Sequence, residues 1–80
     1  MITFDEADIA LQSKSYVEYN NPIHNIVSRN YIISGIIKRA NAGQIYYQLE
    51  LTEIYDRKAE NITNNRAKRI IITDMNGVNL

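Results

Sequence analysis

The sequence predicts an α+β fold in which a short N-terminal helix packs on an antiparallel sheet of four to five strands or on a small SH3-like barrel. A helix-start signature precedes one amphipathic stretch, and two segments rich in β-branched and aromatic residues flank a short polar loop. The chain has 80 residues, and this length supports one hydrophobic core. We therefore expect a single domain over 1–80, with a compact core over about 4–73.

The helix is expected over residues 4–13. Thr3 and Glu6 have the spacing of a capping box, in which each side chain accepts the other residue's backbone amide. Phe4, Ala7 and Leu11 then recur at helical spacing and form a narrow apolar stripe. A short helix with one face on the core follows from this pattern.

A first strand is predicted over residues 15–19, Ser-Tyr-Val-Glu-Tyr. Asn20-Asn21-Pro22 predicts its end, because proline lacks an amide donor and asparagine tolerates turn geometry. Residues 23–30 have no clear pattern.

The clearest pattern predicts a β-hairpin in the middle of the chain. Residues 31–39 and 45–55 are rich in β-branched and aromatic side chains. Residues 40–44 form a polar loop in which Gly43 is free to adopt positive φ. Two strands joined by so short a loop pair antiparallel.

Alternation along the hairpin predicts one buried face and one wet face. In the second strand Ile45, Tyr47, Leu49 and Leu51 share the face expected in the core, and Tyr46, Gln48, Glu50 and Thr52 share the other. The first strand is apolar on both faces, and Gly35 marks a bend, a bulge or a close approach.

In the C-terminal third of the chain, the sequence leaves alternative secondary structures open. Residues 56–69 fit a helix starting at Asp56 or, narrowly preferred, a strand over 59–63 with a turn at Asn64-Asn65, because Asn and Thr propagate a helix poorly. Residues 67–73 predict a final edge strand. Residues 74–80 predict a loose tail.

Composition excludes several classes of function. The formal net charge is zero and there is no Cys, so no overall field attracts nucleic acid, and disulfides, thiolate metal sites and a thiol nucleophile are excluded. No apolar stretch approaches the roughly 20 residues of a membrane span. The acidic N-terminus is the reverse of a signal peptide, and we expect the protein in the cytoplasm.

Few residues are candidates for catalysis or metal binding. His24 is the single His, and nothing in its spacing to Ser28 or Ser34 favours a catalytic arrangement. Glu50 and Glu53 alternate across a strand. Asp5, Glu6 and Asp8 crowd a helix start, where capping and the helix dipole account for them. We expect no catalytic residue, no metal and no cofactor.

The order of these segments resembles a known group of proteins. A short helix is followed by the strand Ile-Ser-Gly-Ile-Ile-Lys-Arg, a tight loop, the strand Ile-Tyr-Tyr-Gln-Leu-Glu-Leu, a polar Ala-Glu-Asn-Ile-Thr segment and a last apolar strand. Over roughly residues 4–72 this is similar to small, largely uncharacterised proteins of phages and other mobile elements of low-GC Gram-positive bacteria. The resemblance implies an accessory protein that occludes a host or competitor protein, including proteins of immunity systems. It implies no functional residue.

Together these features predict a non-enzymatic binding protein from a phage or mobile element. We expect it to bind and block a host or mobile-element protein, as an anti-defence inhibitor of the anti-CRISPR kind. Exposed tyrosines are enriched at protein interfaces. Tyr46 is expected to be exposed on the wet face, and Tyr16 and Tyr19 are further candidates for exposure. The expected partner-binding residues are Tyr46, Gln48, Glu50, Lys38 and Arg39.

An alternative is a small β-barrel that binds nucleic acid or a nucleotide. Single strands bind to grooves that combine positive charge with aromatic side chains, and the candidate patch is Tyr46, Lys38, Arg39, Lys68 and Arg69. Solvated Lys and Arg also protect strand ends and edges, which is the plainer interpretation of these cations. A homo-oligomer formed through an unpaired edge strand is compatible with either function.

Overall fold

The computed structural model of the chain describes residues 1–21, 26–54 and 68–80. A helix α1 packs on one face of a five-stranded antiparallel sheet with strand order β4-β3-β2-β1-β5. The elements are α1 Phe4–Ser13, β1 Tyr16–Asn21, β2 Ile26–Asn41, β3 Gln44–Glu53, β4 Arg69–Ile72 and β5 Val78–Asn79, with a 3-10 turn over Met75–Gly77. The predicted α+β class is confirmed, and the sheet is open with β4 and β5 at its ends.

Some predictions fall outside the described residues. They are the turn at Pro22, the role of His24, the helix from Asp56, and the preferred strand over 59–63 with its turn at Asn64-Asn65.

Helix α1 begins and ends as its sequence predicts. Thr3 Oγ1 accepts from the Glu6 amide at 3.2 Å, and Glu6 Oε1 accepts from the Thr3 amide at 3.0 Å. The helix ends where Lys14 adopts a left-handed φ of 55°. Ala7 and Ala10 are buried, and such small side chains let the helix backbone approach the sheet closely.

The hairpin of β2 and β3 is longer than predicted, because β2 begins at Ile26. Its two-residue turn has positive φ at both Ala42 (50°) and Gly43 (79°), as a type I′ turn requires. The pairing register shifts between Ile33 and Gly35. This shift is the β-bulge expected near Gly35, and it lets a long strand bend.

The core lies between α1 and the sheet. Ile33, Leu49, Leu51, Val17 and Val78 are its largest fully buried side chains. Tyr19 was a candidate for exposure, but it is 8% exposed and packs edge to face on Tyr31, with ring centroids 5.6 Å apart.

Alternation alone misplaced three side chains of β3. Ile45, predicted on the core face, is 55% exposed. Tyr47, predicted in the core, is half-buried, because it lies beyond Leu49, the last β3 residue paired with β4; the Phe4 ring packs against it at 4.8 Å. Thr52, predicted on the wet face, is 4% exposed and bonds through its hydroxyl to Ser34.

The prediction of a loose tail over 74–80 is wrong. Val78 is completely buried and pairs with Tyr19, and the Ile2 amide donates to the Val78 carbonyl at 2.7 Å. Ile2 is also buried. The core therefore extends from Ile2 to Val78, because both ends of the chain supply apolar side chains and backbone partners beside β1.

The connection from β4 to β5 requires a curled sheet. Four strand spacings of about 4.8 Å would separate these strands by about 19 Å in a flat sheet. From Ile72 to Val78 the chain reaches only about 16 Å, because the 3-10 turn rises about 2.0 Å per residue. At the end of this turn, a Cβ on Gly77 would lie 2.5 Å from the Asn20 carbonyl oxygen.

We expect Val78→Ala to lower the free energy of unfolding by about 2 kcal/mol, because it removes buried methyl groups and leaves a cavity. Leu80→Ala is the matched control, since Leu80 is 66% exposed and its loss is expected to change stability by less than about 0.5 kcal/mol. Urea unfolding followed by circular dichroism measures both. Equal effects would contradict the buried C-terminal strand.

We expect Gly77→Ala to destabilise the fold by about 1–3 kcal/mol, because its Cβ would overlap a backbone oxygen that has little freedom to move. Gly35→Ala is the control, since its Cβ would meet Glu50 Cβ at an ordinary 3.5 Å. Thermal unfolding of the two variants compares them directly. A Gly77→Ala protein as stable as Gly35→Ala would mean that the 3-10 turn does not approach β1 this closely.

Candidate binding surface

The sheet face turned away from α1, here called the outer face, collects most of the predicted binding residues. Directly paired residues of antiparallel strands point to the same side. The pairs Arg39–Tyr46, Ile37–Gln48 and Gly35–Glu50 therefore place Arg39, Tyr46, Gln48 and Glu50 together. Lys38 pairs with Tyr47 and projects to the α1 side, so it is separated from the other four.

The outer face also carries apolar side chains that the sequence analysis missed. Tyr16, Val27 and Ile71 are 40%, 53% and 49% exposed, and Ile32 and Ile37 are half-buried. In the described part of the chain, no element covers them. For Ile71 the sequence contains a signal, the run Ile70-Ile71-Ile72. Side chains alternate along a strand, so when the outer two face the core the middle one must face away from it.

A hydrogen-bonded cluster at the bulge holds the centre of the outer face. Ser34 Oγ lies 2.7 Å from both Glu50 Oε1 and Thr52 Oγ1. Nearby, Gln48 Nε2 donates to Thr73 Oγ1 at 2.9 Å. Gln48 and Glu50 are thus hydrogen-bonded to neighbours in the fold. Tyr46, expected to be exposed, is half-buried, and Arg39 is exposed.

The predicted cations do not converge. Arg39 pairs with Tyr46 near the turn, whereas Arg69 pairs with Thr52, six positions and about 20 Å along β3. Lys68, next to Arg69, is exposed, and its carbonyl accepts from the Glu53 amide at 2.8 Å. Tyr46 therefore has one cation beside it on the outer face and the other pair at the far end of the sheet.

The end of the hairpin extends past its neighbouring strands. β1 pairs with β2 only as far as Ile32, and β4 pairs with β3 only as far as Leu49. Residues 36–48, here called the ribbon, are therefore two-stranded in the described structure. Ile45 is 55% exposed in it, and Lys38, Arg39 and Ala40 are exposed.

A hollow of about 390 Å³ opens between β1 and the connection that leads to β5. The carboxylate of Asp74 on its wall accepts from the Asn76 amide at 2.9 Å, which caps the 3-10 turn. Asn20 also lines it, and among the described residues Asn20 Oδ1 has no hydrogen-bond partner. That oxygen is sealed from solvent, so a ligand in the hollow would not touch it in this conformation.

The acidic residues of α1 have structural roles. Glu6 closes the capping box, and Asp8 Oδ2 accepts from Gln12 at 3.3 Å. Among residues 1–21, 26–54 and 68–80, no group of His, Cys, Asp and Glu is placed to hold a metal ion. The same ranges contain no helix that is long and apolar enough to cross a membrane.

Comparison with known proteins gives no match for this chain, whether with protein-family models, curated proteins or solved structures.

We expect Ser34→Ala to lower the free energy of unfolding by about 1–3 kcal/mol, because it leaves the buried Thr52 hydroxyl without its partner. The double variant Ser34→Ala/Thr52→Val is expected to recover part of this loss, since an apolar pair needs no hydrogen bond. Urea unfolding of the two single variants and the double variant gives the coupling energy. Strictly additive effects would show that the hydroxyl pair contributes nothing.

Proposed function

We propose that this protein is a non-enzymatic binding protein that attaches to another protein through its outer face and ribbon. The observation that carries the proposal is the set of exposed apolar side chains on the outer face, among them Val27 and Ile71, which no element of the described residues covers. Large exposed apolar patches on soluble proteins mark interaction sites. Tyr and Arg are the side chains that contribute most often to binding energy at such sites.

The surface combines apolar and polar groups. The apolar side chains of Ile32, Ile37 and Ile71 lie beside the central polar cluster, and Arg39 and Arg69 lie toward the two ends. Protein interfaces contain both apolar contacts and hydrogen-bonding groups. At its centre the Ser34 hydroxyl bonds to Glu50 and Thr52 across the strands, and a surface pre-organised by such bonds loses less entropy on binding.

The biological role follows from the resemblance. Small proteins of phages and mobile elements with this order of segments imply an accessory protein that blocks a host or competitor protein. We therefore propose that the protein acts in the cytoplasm of a bacterial host and inhibits a defence protein by covering its working surface. A face of this kind is sufficient for occlusion, and no catalytic group is required.

A second candidate is binding of single-stranded nucleic acid, favoured by the Arg39–Tyr46 pair on the outer face. A base can stack on the tyrosine ring while the guanidinium contacts a phosphate. The distance between this pair and Arg69 weakens the candidate, because a backbone-tracking groove needs several cations in succession.

We expect wild-type protein to capture a stoichiometric protein partner from lysate of a low-GC Gram-positive host at physiological salt. Tyr46→Ala and Arg39→Glu are each expected to weaken this complex at least tenfold, as at a binding hot spot. Quantitative mass spectrometry of the captured fraction and biosensor titration of the recovered partner provide the measurements.

Ile9→Ala is the matched control, since Ile9 is a large apolar side chain, 66% exposed, on α1. It is expected to leave the complex unchanged. Fluorescence anisotropy with labelled dT20 and rU20 at low salt tests the second candidate. Tight, salt-dependent oligonucleotide binding that Tyr46→Ala abolishes, with no protein recovered, would replace the first proposal by the second.

A further inference from the structure

Along the ribbon, the edge of β2 that faces away from β3 has no paired strand among the described residues, and it carries two adjacent cations, Lys38 and Arg39. We propose that this edge, from Ile36 to Asn41, takes an extended acidic segment of a protein partner as an added β-strand. The inference rests on the proposed function and names the mode of contact and the chemistry of the partner. Strand addition is a common mode of peptide recognition, in which backbone hydrogen bonds supply affinity and alternate side chains supply specificity.

Within residues 1–21, 26–54 and 68–80, this edge has no paired strand because β1 ends its pairing with β2 early. The last pair between the two strands is Tyr16–Ile32. Ser15, the residue before it, donates its amide to the Ala10 carbonyl of α1 at 3.3 Å, so the chain leaves the sheet for the helix at this point. In the described structure nothing pairs with residues 36–41 on that side, and their length of about 20 Å matches an ordinary strand.

The turn determines which backbone groups point outward. In a two-residue type I′ hairpin the residues flanking the turn, Asn41 and Gln44, exchange hydrogen bonds, and such pairs alternate with pairs whose N–H and C=O groups face away from each other. Ala40, Lys38 and Ile36 belong to the second kind.

The charge of the ribbon selects an acidic occupant. Residues 36–48 contain Lys38 and Arg39 and no Asp or Glu. The ion pair found in the described residues joins Arg29 to Glu18, so neither ribbon cation is neutralised there. Lys38 projects to the α1 side and Arg39 to the outer face, so acidic residues at adjacent positions of an added strand can each lie opposite a cation, an arrangement that stabilises antiparallel pairs.

The same cations disfavour a second copy of this chain on that edge. Pairing β2 with β2 of another copy would bring two like-charged strands together, and Lys on an edge strand is a common protection against such association. An acidic strand would instead be attracted electrostatically to Lys38 and Arg39. The cations therefore favour an acidic strand over a second copy of this chain, while the outward backbone N–H and C=O groups can still form hydrogen bonds.

The experiment selects partners for wild-type protein from a displayed library of random twelve-residue peptides. We expect the selected peptides to be enriched in Asp and Glu next to β-branched residues. With such a peptide bound, amide exchange measured by NMR is expected to slow at Lys38 and Ala40. Ala40→Pro, which removes an outward donor, is expected to weaken binding at least tenfold.

Two matched variants separate the backbone from the side chain. Ile45 pairs with Ala40 across the ribbon, so Ile45→Pro removes an outward donor from the β3 edge and is expected to leave binding unchanged. Ala40→Ser keeps the donor and is also expected to bind normally. Lys38→Glu tests charge without proline: acidic peptides are expected to bind at least tenfold more weakly, and versions with Lys in place of Glu are expected to recover.

Several outcomes would overturn the inference. The selected peptides could lack enrichment in Asp and Glu, Ala40→Pro could bind them as tightly as wild type, or Lys38→Glu could leave their affinity unchanged. Protection of the same amides by dT20 in place of a peptide would assign the edge to nucleic acid. A host partner that depends on Tyr46 and is indifferent to Ala40→Pro and Lys38→Glu would sink the strand addition and keep the proposed function. Absence of any host partner, with peptides still bound at the edge, would do the reverse.

Discussion

Pairing of β2 with β3 is the interaction on which the other described elements depend. This hairpin contributes the central strands of the sheet, with β4 attached to β3 and β1 attached to β2. Leu49, Leu51 and Ile33 fill the core beneath it, and α1 covers that face. A slip of one residue in the pairing would move every core side chain to the opposite face. The type I′ turn and the bulge at Ser34 prevent such a slip, because each specifies a single register.

The two ends of the chain complete the sheet in a way that the hairpin alone cannot. Ile2 and Val78 are joined by a backbone hydrogen bond and are both buried beside β1. The connection between β4 and β5 is short enough to require a curled sheet, and the close approach of Gly77 to Asn20 is its local consequence. A small domain buries a modest share of its surface, so these terminal contacts are a substantial part of its stability.

The proposed binding features, namely the ribbon and its edge, arise from unequal strand lengths. Because β1 and β4 stop short, β2 and β3 continue as a two-stranded ribbon with Tyr46 on its outer face and Lys38 and Arg39 along one edge. A fold in which all strands had equal length would cover those backbone groups. The polar cluster of Ser34, Glu50 and Thr52 links β2 to β3 at the base of the ribbon.

Local pattern in the sequence determined the helix over Phe4–Ser13, its capping box, the hairpin, the irregularity near Gly35 and an edge strand containing Ile70 and Ile72. Each is encoded by neighbouring residues, through cap chemistry, turn chemistry or alternation with a period of two. Local pattern also brought Tyr46, Gln48 and Glu50 onto one face, since alternation along a strand needs no tertiary information.

Tertiary structure alone decided where each strand loses its neighbour. It half-exposed Tyr47, buried Tyr19 and Thr52, placed Arg69 about 20 Å from Arg39 along the sheet, and converted the expected tail into the strand that carries Val78. None of these outcomes is local, because each depends on which distant segment lies alongside. Val78 has the same sequence neighbours whether it is loose or buried, and only its pairing with Tyr19 and its contact with Ile2 separate the two states.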